Sequence, residues 1–161
     1  MKRLFIFFMS LMFVMCLAGC DNVNKDDFES FINVNKTNVK VGETIKITAS
    51  IKNNSNKSIK IKANHTDVQK IEDIIMIGVF TEFDNHDFIV NSKGGTLKSF
   101  KFKKNTLLEK ELEYKVTSLN NLEIEAQFCF YIKNELIIIK SDIINIIVEK
   151  RYENFSIIFY N

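Results

Sequence analysis

The chain has 161 residues, with 22 basic and 20 acidic side chains and a formal net charge of +2. This length fits one domain with an apolar core of its own, and the balanced charge excludes the basic excess typical of nucleic-acid-binding proteins. Two of the three cysteines lie near the start, and Cys129 stands alone. The sequence therefore predicts a fold held by its core and not by an intrachain disulfide.

The first residues have the pattern of a secretory signal. Lys2 and Arg3 precede an apolar run over residues 4–17 that only Ser10 interrupts, and small residues follow. A basic start, a short apolar segment and small residues before a cleavage site define such a signal. The run of about 14 residues is short for a transmembrane helix, which needs about 20.

The signal ends in Leu17-Ala18-Gly19-Cys20, which resembles the lipobox of bacterial lipoproteins at every position. The resemblance implies that the Cys20 thiol receives a diacylglycerol, that cleavage falls between Gly19 and Cys20, and that the new N-terminus is acylated. It implies a palmitate-type anchor in the cell membrane, with the domain on the extracytoplasmic face. The alternatives are an ordinary secreted protein with a chance cysteine and an uncleaved membrane anchor.

Composition along the chain divides it into four parts. Residues 1–19 are the lipoprotein signal peptide, and the polar stretch 20–30 is expected to be a flexible tether. Alternating segments fill residues 31–150, which we expect to form a sandwich domain. Residues 151–161 are expected to be a C-terminal tail or an additional edge strand.

Period-two alternation of apolar and polar residues recurs throughout the domain and is typical of half-buried strands. A short helix is expected between His65 and Ile75, where Thr66 and Gln69 form a possible capping box. We predict strands over residues 45–52, 58–63, 74–80, 88–91, 97–103, 108–117, 123–133 and 136–149, the last broken at Ser141-Asp142. This order predicts an all-β, antiparallel sandwich of about 7–9 strands.

The segments 39–61 and 141–148 resemble strands of immunoglobulin-like domains in bacterial surface lipoproteins. The opening is also loosely similar to BsuPI-like domains, but the Pro-Gly turns and the Trp of those domains are missing, so inhibition of proteinases is not implied. Immunoglobulin topology places strand 45–52 beside 108–117 and strand 58–63 beside 123–133. Lysines would then face glutamates across both pairs: Lys46 and Lys52 against Glu109, Glu111 and Glu113, and Lys60 and Lys62 against Glu123 and Glu125.

Catalytic groups are sparse, and we predict no catalytic, cofactor or metal site. His65 and His86 lie in no recognised catalytic signature, and Cys129 would need a histidine nearby to act as a nucleophile. The turn with Glu82, Asp84, His86 and Asp87 offers oxygen ligands for Ca²⁺. It lacks the glycine and the regular spacing of a calcium loop, so a solvated turn is the simpler interpretation.

Two surfaces are candidates for binding. A basic run on one strand, formed by Lys98, Lys101, Lys103 and Lys104, could attract anionic headgroups or wall polymers, although a charged edge strand that prevents edge-to-edge pairing explains it more simply. Tyr131, with Phe155 and Phe159 of the apolar tail, is the possible binding surface for a partner. The tail could instead pack on the sandwich as an extra strand.

These features predict a lipid-anchored extracytoplasmic domain without enzymatic activity. It would bind an envelope protein or polymer, contact the membrane through the lipid on Cys20, and bind no nucleic acid. An alternative is an immunity or exclusion lipoprotein that captures a toxic peptide or phage factor at the membrane. A hydrolase would require a cleft that gathers His65 or His86, a carboxylate and Cys129.

Overall fold

The computed structural model describes residues 23–63, 69–88 and 97–149, and these form an all-β sandwich. Two short 3-10 helices, Lys25–Asp27 and Ile71–Ile74, accompany the strands. The ten strands of the described residues are β1 (Phe28–Val34), β2 (Asn38–Lys40), β3 (Thr44–Asn53), β4 (Ile59–Ala63), β5 (Ile75–Thr81), β6 (Lys98–Phe102), β7 (Leu107–Lys115), β8 (Leu122–Ile132), β9 (Glu135–Lys140) and β10 (Ile144–Glu149).

Two sheets face each other. The smaller has the order β1-β3-β7, and the larger has the order β2-β10-β8-β4-β6, with β5 and β9 also paired to β8. Every pairing is antiparallel except that of β2 with β10. The set β1-β3-β7 opposite β10-β8-β4 matches strands A, B and E opposite G, F and C of immunoglobulin-like domains. The all-β sandwich predicted from the sequence is confirmed.

Strand β8 organises the larger sheet, because two collinear strands lie along each of its edges. One edge pairs first with β5 and then with β4, and the other pairs with β10 and β9. The β9–β10 break at Ser141 was predicted. Ser141 keeps its place in the ladder, since its N–H donates to the Ala126 carbonyl at 2.9 Å and its Oγ accepts from the Ala126 N–H at 2.9 Å.

The core lies between the sheets and consists of the residues that face inward from each strand. Phe128, Phe130 and Phe102 are fully buried, together with isoleucines of β3 and β4. Phe28 joins them, with its ring centroid 5.1 Å from that of Phe130. Burial of each such side chain contributes about 1.5–3 kcal/mol, which is consistent with a fold that needs no disulfide.

The domain begins earlier than the sequence suggested. A flexible tether was expected over residues 20–30 and a sandwich from residue 31, but β1 starts at the buried Phe28, and Val23 already packs against the core. The polar side chains hid this boundary, because they form a capped 3-10 turn: Asn24 Oδ1 accepts from the Lys25 N–H at 2.7 Å. The domain therefore starts within about 10 Å of Cys20 along an extended chain.

Two other local predictions changed. Residues 71–74 form only a single 3-10 turn, while Thr66 of the expected capping box lies outside the described residues. Asp73 holds the turn by accepting from the backbone N–H of Lys70 at 2.8 Å, and this hydrogen bond lowers the pKa of its carboxyl. Phe88 is not part of a strand, and residues 89–91 lie outside the described part.

The cross-strand charge prediction was right for Lys46 of β3 and wrong for Lys52, which lies opposite Leu107, and for both lysines of β4. In β3 and β7, Lys46 lies opposite Glu113, and its Nζ is 2.8 Å from Glu111 Oε1. Lys60 and Lys62 of β4 do not face Glu123 and Glu125, because β4 pairs only with the last residues of β8. Strand β4 ends at Ala63, and β5, which begins at Ile75, pairs with the glutamate-bearing half of β8.

Candidate binding surface

The outer face of the larger sheet presents the charged and polar side chains that form the candidate site. Alternation predicted that Glu125 and Gln127 of β8 point to solvent, yet only 4% and 5% of these residues are exposed. They point away from the core as predicted, but other side chains cover them. A carboxylate removed from water must be compensated by neighbouring charges or hydrogen bonds.

The compensation comes from the Lys140 ammonium group and the N–H groups of the His86 ring, and these side chains define a polar cluster of His86, Glu123, Glu125 and Lys140. Lys140 Nζ lies 3.2 Å from Glu125 Oε1. The His86 ring lies between the two glutamates, with Nε2 2.6 Å from Glu123 Oε2 and Nδ1 3.4 Å from Glu125 Oε2. Glu125 Oε2 still lacks a hydrogen bond of good geometry, so its compensation is mainly electrostatic.

Aromatic rings cover the polar cluster. Phe80 stacks on His86 with ring centroids 4.5 Å apart, and Phe88 meets Phe80 edge to face at 5.6 Å. These rings have room because Gly78 lies opposite Glu125 in the β5–β8 ladder. A Cβ atom at Gly78 would clash with the Phe80 ring and come within 2.9 Å of Phe88 Cζ. The glycine thus permits the cover that buries Glu125.

The turn at residues 82–87 does not gather its oxygen atoms around one point. Asp84 Oδ2 accepts hydrogen bonds from the N–H of Thr81 at 2.6 Å and from its hydroxyl at 2.8 Å, and these bonds lower the pKa of Asp84. His86 turns the other way, toward β8. Among the described residues, no group of three His, Cys, Asp or Glu side chains is arranged to hold a metal ion.

Cys129 lies next along the outer face of β8. Its thiol accepts a hydrogen bond from Gln127 Nε2 at 3.0 Å, and burial raises its pKa above the ordinary value. A thiol with a raised pKa is a poor nucleophile at neutral pH. Within the described chain, no histidine contacts it.

Tyr131 follows Cys129 and lies in an apolar stripe with Leu136 and Ile138 of β9. Tyr131 pairs with Leu136, and Cys129 pairs with Ile138. Leu136 is 39% exposed and Ile138 is 44% exposed. Tyr131 itself is half-buried and its neighbours there are β9 residues. Phe155 and Phe159 lie outside the described residues, so the binding surface of these three residues stays a prediction.

Beyond Tyr131 the outer face becomes basic, and we name Lys60, Lys62, Lys101 and Lys103 the lysine face. Strand β6 is the last strand of the described sheet, as a charged edge strand should be. Lys60 lies directly opposite Lys101, and Lys62 lies opposite Ser99 and Tyr131. In the described structure, the lysine face has no ion pair with any carboxylate, and only Lys62 has a side-chain hydrogen bond, to Asn134 Oδ1 at 3.5 Å.

Other predicted site residues fall outside the described residues. These are Gly19 and Cys20 of the lipobox, His65, and the tail with Phe155 and Phe159. None of the helices in the described ranges has the length and apolarity to cross a membrane.

Sequence reasoning missed the polar cluster. Its glutamates occupy positions that alternation assigns to solvent, and its histidine belongs to a turn about forty residues away in sequence. The available signal was Gly78 within an apolar run, since a glycine inside a strand often marks a close approach by another group.

Comparison with known proteins finds resemblance in structure but not in sequence. No family model matches the chain, and no curated protein sequence is significantly similar. Spo0M, a sporulation control protein from Bacillus subtilis, has a similar structure with a TM-score of 0.42 and 13% sequence identity. The match covers 77% of this chain and 50% of that chain, so the present chain corresponds to about half of the Spo0M structure.

Proposed function

We propose that this chain is a lipid-anchored binding domain on the extracytoplasmic face of a bacterial membrane. It acts by contact with an envelope protein or polymer and performs no reaction. The observation that carries the proposal is the lipobox Leu17-Ala18-Gly19-Cys20 directly after an apolar signal. Two or three acyl chains on Cys20 would hold the protein far more firmly than the marginal binding of a single chain.

The start of the domain supports an anchor at this position. Val23 packs against the core, and only two residues separate it from Cys20. A lipid on Cys20 would therefore hold the first turn and β1 close to the bilayer surface. The opposite end of the sandwich, with the β2–β3 and β7–β8 connections, would point away from the membrane.

The outer sheet face supports binding over catalysis. Its thiol contacts an amide, its histidine lies between two carboxylates, and neither is placed beside the other. The same face offers the apolar stripe of Tyr131, Leu136 and Ile138, which suits contact with a partner. Exposed aromatic and aliphatic side chains beside charged ones are typical of protein interfaces.

Metabolic labelling with a palmitate analogue tests the anchor. We expect the native chain to be labelled and a Cys20→Ala variant to be unlabelled. Cys16→Ala is the matched control, because it removes a thiol four residues earlier that leaves with the signal peptide. Equal labelling of the native chain and Cys20→Ala would refute the lipid anchor.

A pull-down from detergent-solubilised envelope with the native lipidated chain tests the binding role. A discrete partner should be recovered with the native chain and lost with Ile138→Ser in the apolar stripe. Ile147→Ser is the matched control, because Ile147 is also exposed but lies on β10 near the other end of the sheet. Loss of the partner from both variants, or recovery of nothing by the native chain, would contradict binding at this stripe.

A further inference from the structure

We propose that the lysine face binds the anionic phospholipid headgroups of the membrane in which the chain is anchored, so that the outer face of the larger sheet leans on the bilayer. This inference rests on the proposed lipid anchor, because the anchor brings the face to the membrane. It assigns a second, electrostatic contact that fixes the orientation of the domain.

The lysine face lies at the end of the sandwich where the chain begins. Phe28, the first residue of β1, pairs with Asn53 at the end of β3. The buried Asn53 side chain donates to the carbonyls of Phe102 at 3.2 Å and Lys103 at 3.1 Å. The Phe28 and Phe102 rings also contact each other, with centroids 5.8 Å apart. The anchored end and the end of β6 are thus direct neighbours.

The charge arrangement of this face is unfavourable for the isolated domain. Lys60 and Lys101 are exposed and directly opposite each other across β4 and β6, and like charges in that position are destabilising. One lysine on the edge strand would be enough to prevent edge-to-edge pairing. The additional lysine on β4 lies one strand in from the edge, where that explanation does not apply.

The groove between these lysines has the donors that a phosphate ester needs. Ser58, Lys60, Ser99, Phe100 and Lys101 line a shallow groove of about 340 Å³. Two ammonium groups and two hydroxyl groups can donate to phosphate oxygens, and the ammonium groups supply the opposite charge. No carboxylate lines this groove.

Tyr131 adds an interfacial group beside the charges. Tyr131 lies opposite Lys62 in the β4–β8 ladder, and tyrosine is enriched at the boundary between headgroups and water. Lys133 and Glu135 in the following turn carry opposite charges and offset each other. Asp26, Asp27 and Glu29 lie beside Phe28, so the positive charge belongs to the outer face of β4 and β6 and not to the whole end. That face suits a negatively charged surface.

Vesicle binding tests this contact without the lipid anchor. The chain from residue 20 with Cys20→Ser retains every described strand and all described residues of the core. At low salt it should sediment with vesicles containing phosphatidylglycerol and not with pure phosphatidylcholine vesicles. Since each lysine near an anionic surface strengthens the attraction to it, a Lys60→Gln, Lys101→Gln, Lys103→Gln variant should bind at least about tenfold more weakly.

The matched control is Lys36→Gln, Lys40→Gln, Lys115→Gln. It removes the same charge from the end of the sandwich remote from Phe28 and should change binding less than about twofold, because those lysines lie away from the surface. Equal weakening by both triple variants would overturn the inference. So would absence of binding to phosphatidylglycerol vesicles, or binding only to a soluble glycerol-phosphate polymer.

The two proposals fail separately. If labelling shows no lipid on Cys20 while the vesicle assay distinguishes the two triple variants, the lysine face stands as a membrane contact and the anchor is wrong. If Cys20 is labelled and the vesicles are not bound, the anchor stands and the lysine face has no role in membrane binding.

Discussion

The polar cluster and the lysine face lie on the same outer sheet face, but they differ in whether their charges are buried and paired. In the polar cluster, Glu125 is almost fully buried and is met by Lys140 and His86. In the lysine face, Lys60 and Lys101 are exposed opposite each other without a carboxylate. Burial makes pairing necessary because desolvation of a lone charge is costly, whereas water and salt screen exposed charges.

Because of this difference, the polar cluster should contribute mainly to the stability of the fold and the lysine face mainly to the electrostatic potential of the surface. The charges of the polar cluster are coupled to packing, since Phe80, Phe88 and Gly78 determine how far Glu125 is removed from water. The charges of the lysine face make few contacts within the described structure and are available to a partner. Substitutions in the first region should therefore change the free energy of unfolding, and substitutions in the second should change binding.

The largest effect is expected for Gly78→Ala, which breaks the cover of the polar cluster. The new methyl group occupies the place of the Phe80 ring, which cannot move without disturbing its stacking on His86. Overpacking of this kind costs about 1–3 kcal/mol, measured as a lower urea midpoint of unfolding. Adding Phe80→Leu should recover part of the loss. A Gly78→Ala variant as stable as the native chain would show that the Phe80 and Phe88 rings can shift to make room for a methyl group.

Lys140→Met should have the next largest effect, because it removes the ammonium group that lies 3.2 Å from Glu125 Oε1. Removing one partner of a fully buried pair costs about 3–5 kcal/mol. Since the Lys140 side chain is 49% exposed, water can replace part of the interaction, and we expect about 1–2 kcal/mol. Lys60→Met removes an exposed lysine from the other region and should change the unfolding free energy by less than about 0.5 kcal/mol. Equal losses in both variants would erase the distinction between the regions.

These regions also show which features could be predicted from the sequence and which could not. Alternation identified the inward residues of β8 and the neighbouring strands, because period two depends only on local geometry. It placed Glu125 in solvent, because the residues that cover it come from a turn remote in sequence. The pairing of Lys60 with Glu123 failed for a similar reason: β5, and not β4, lies along that half of β8. The boundary at Phe28 was missed because polar residues can also form a capped turn.

Lys101→Glu should have the smallest effect on stability and the most informative one. It replaces a like-charge pair by an opposite-charge pair with Lys60, which should stabilise the fold by about 0.2–1 kcal/mol. The same change should weaken binding to phosphatidylglycerol vesicles, because it removes one positive charge from the groove and adds a negative one. Unfolding in urea and vesicle sedimentation would measure the two quantities on one variant.

Opposite movement of stability and binding is the signature of residues kept for a partner at some cost to the fold. Lys46→Glu provides the control, because it makes the same charge change on β3, where Lys46 is paired with Glu111. That variant should lose stability slightly, since surface ion pairs contribute about 0–1 kcal/mol, and should bind vesicles almost as well as the native chain. If Lys101→Glu instead lowered stability while leaving vesicle binding unchanged, the basic residues of β6 would serve the sheet edge and not the membrane.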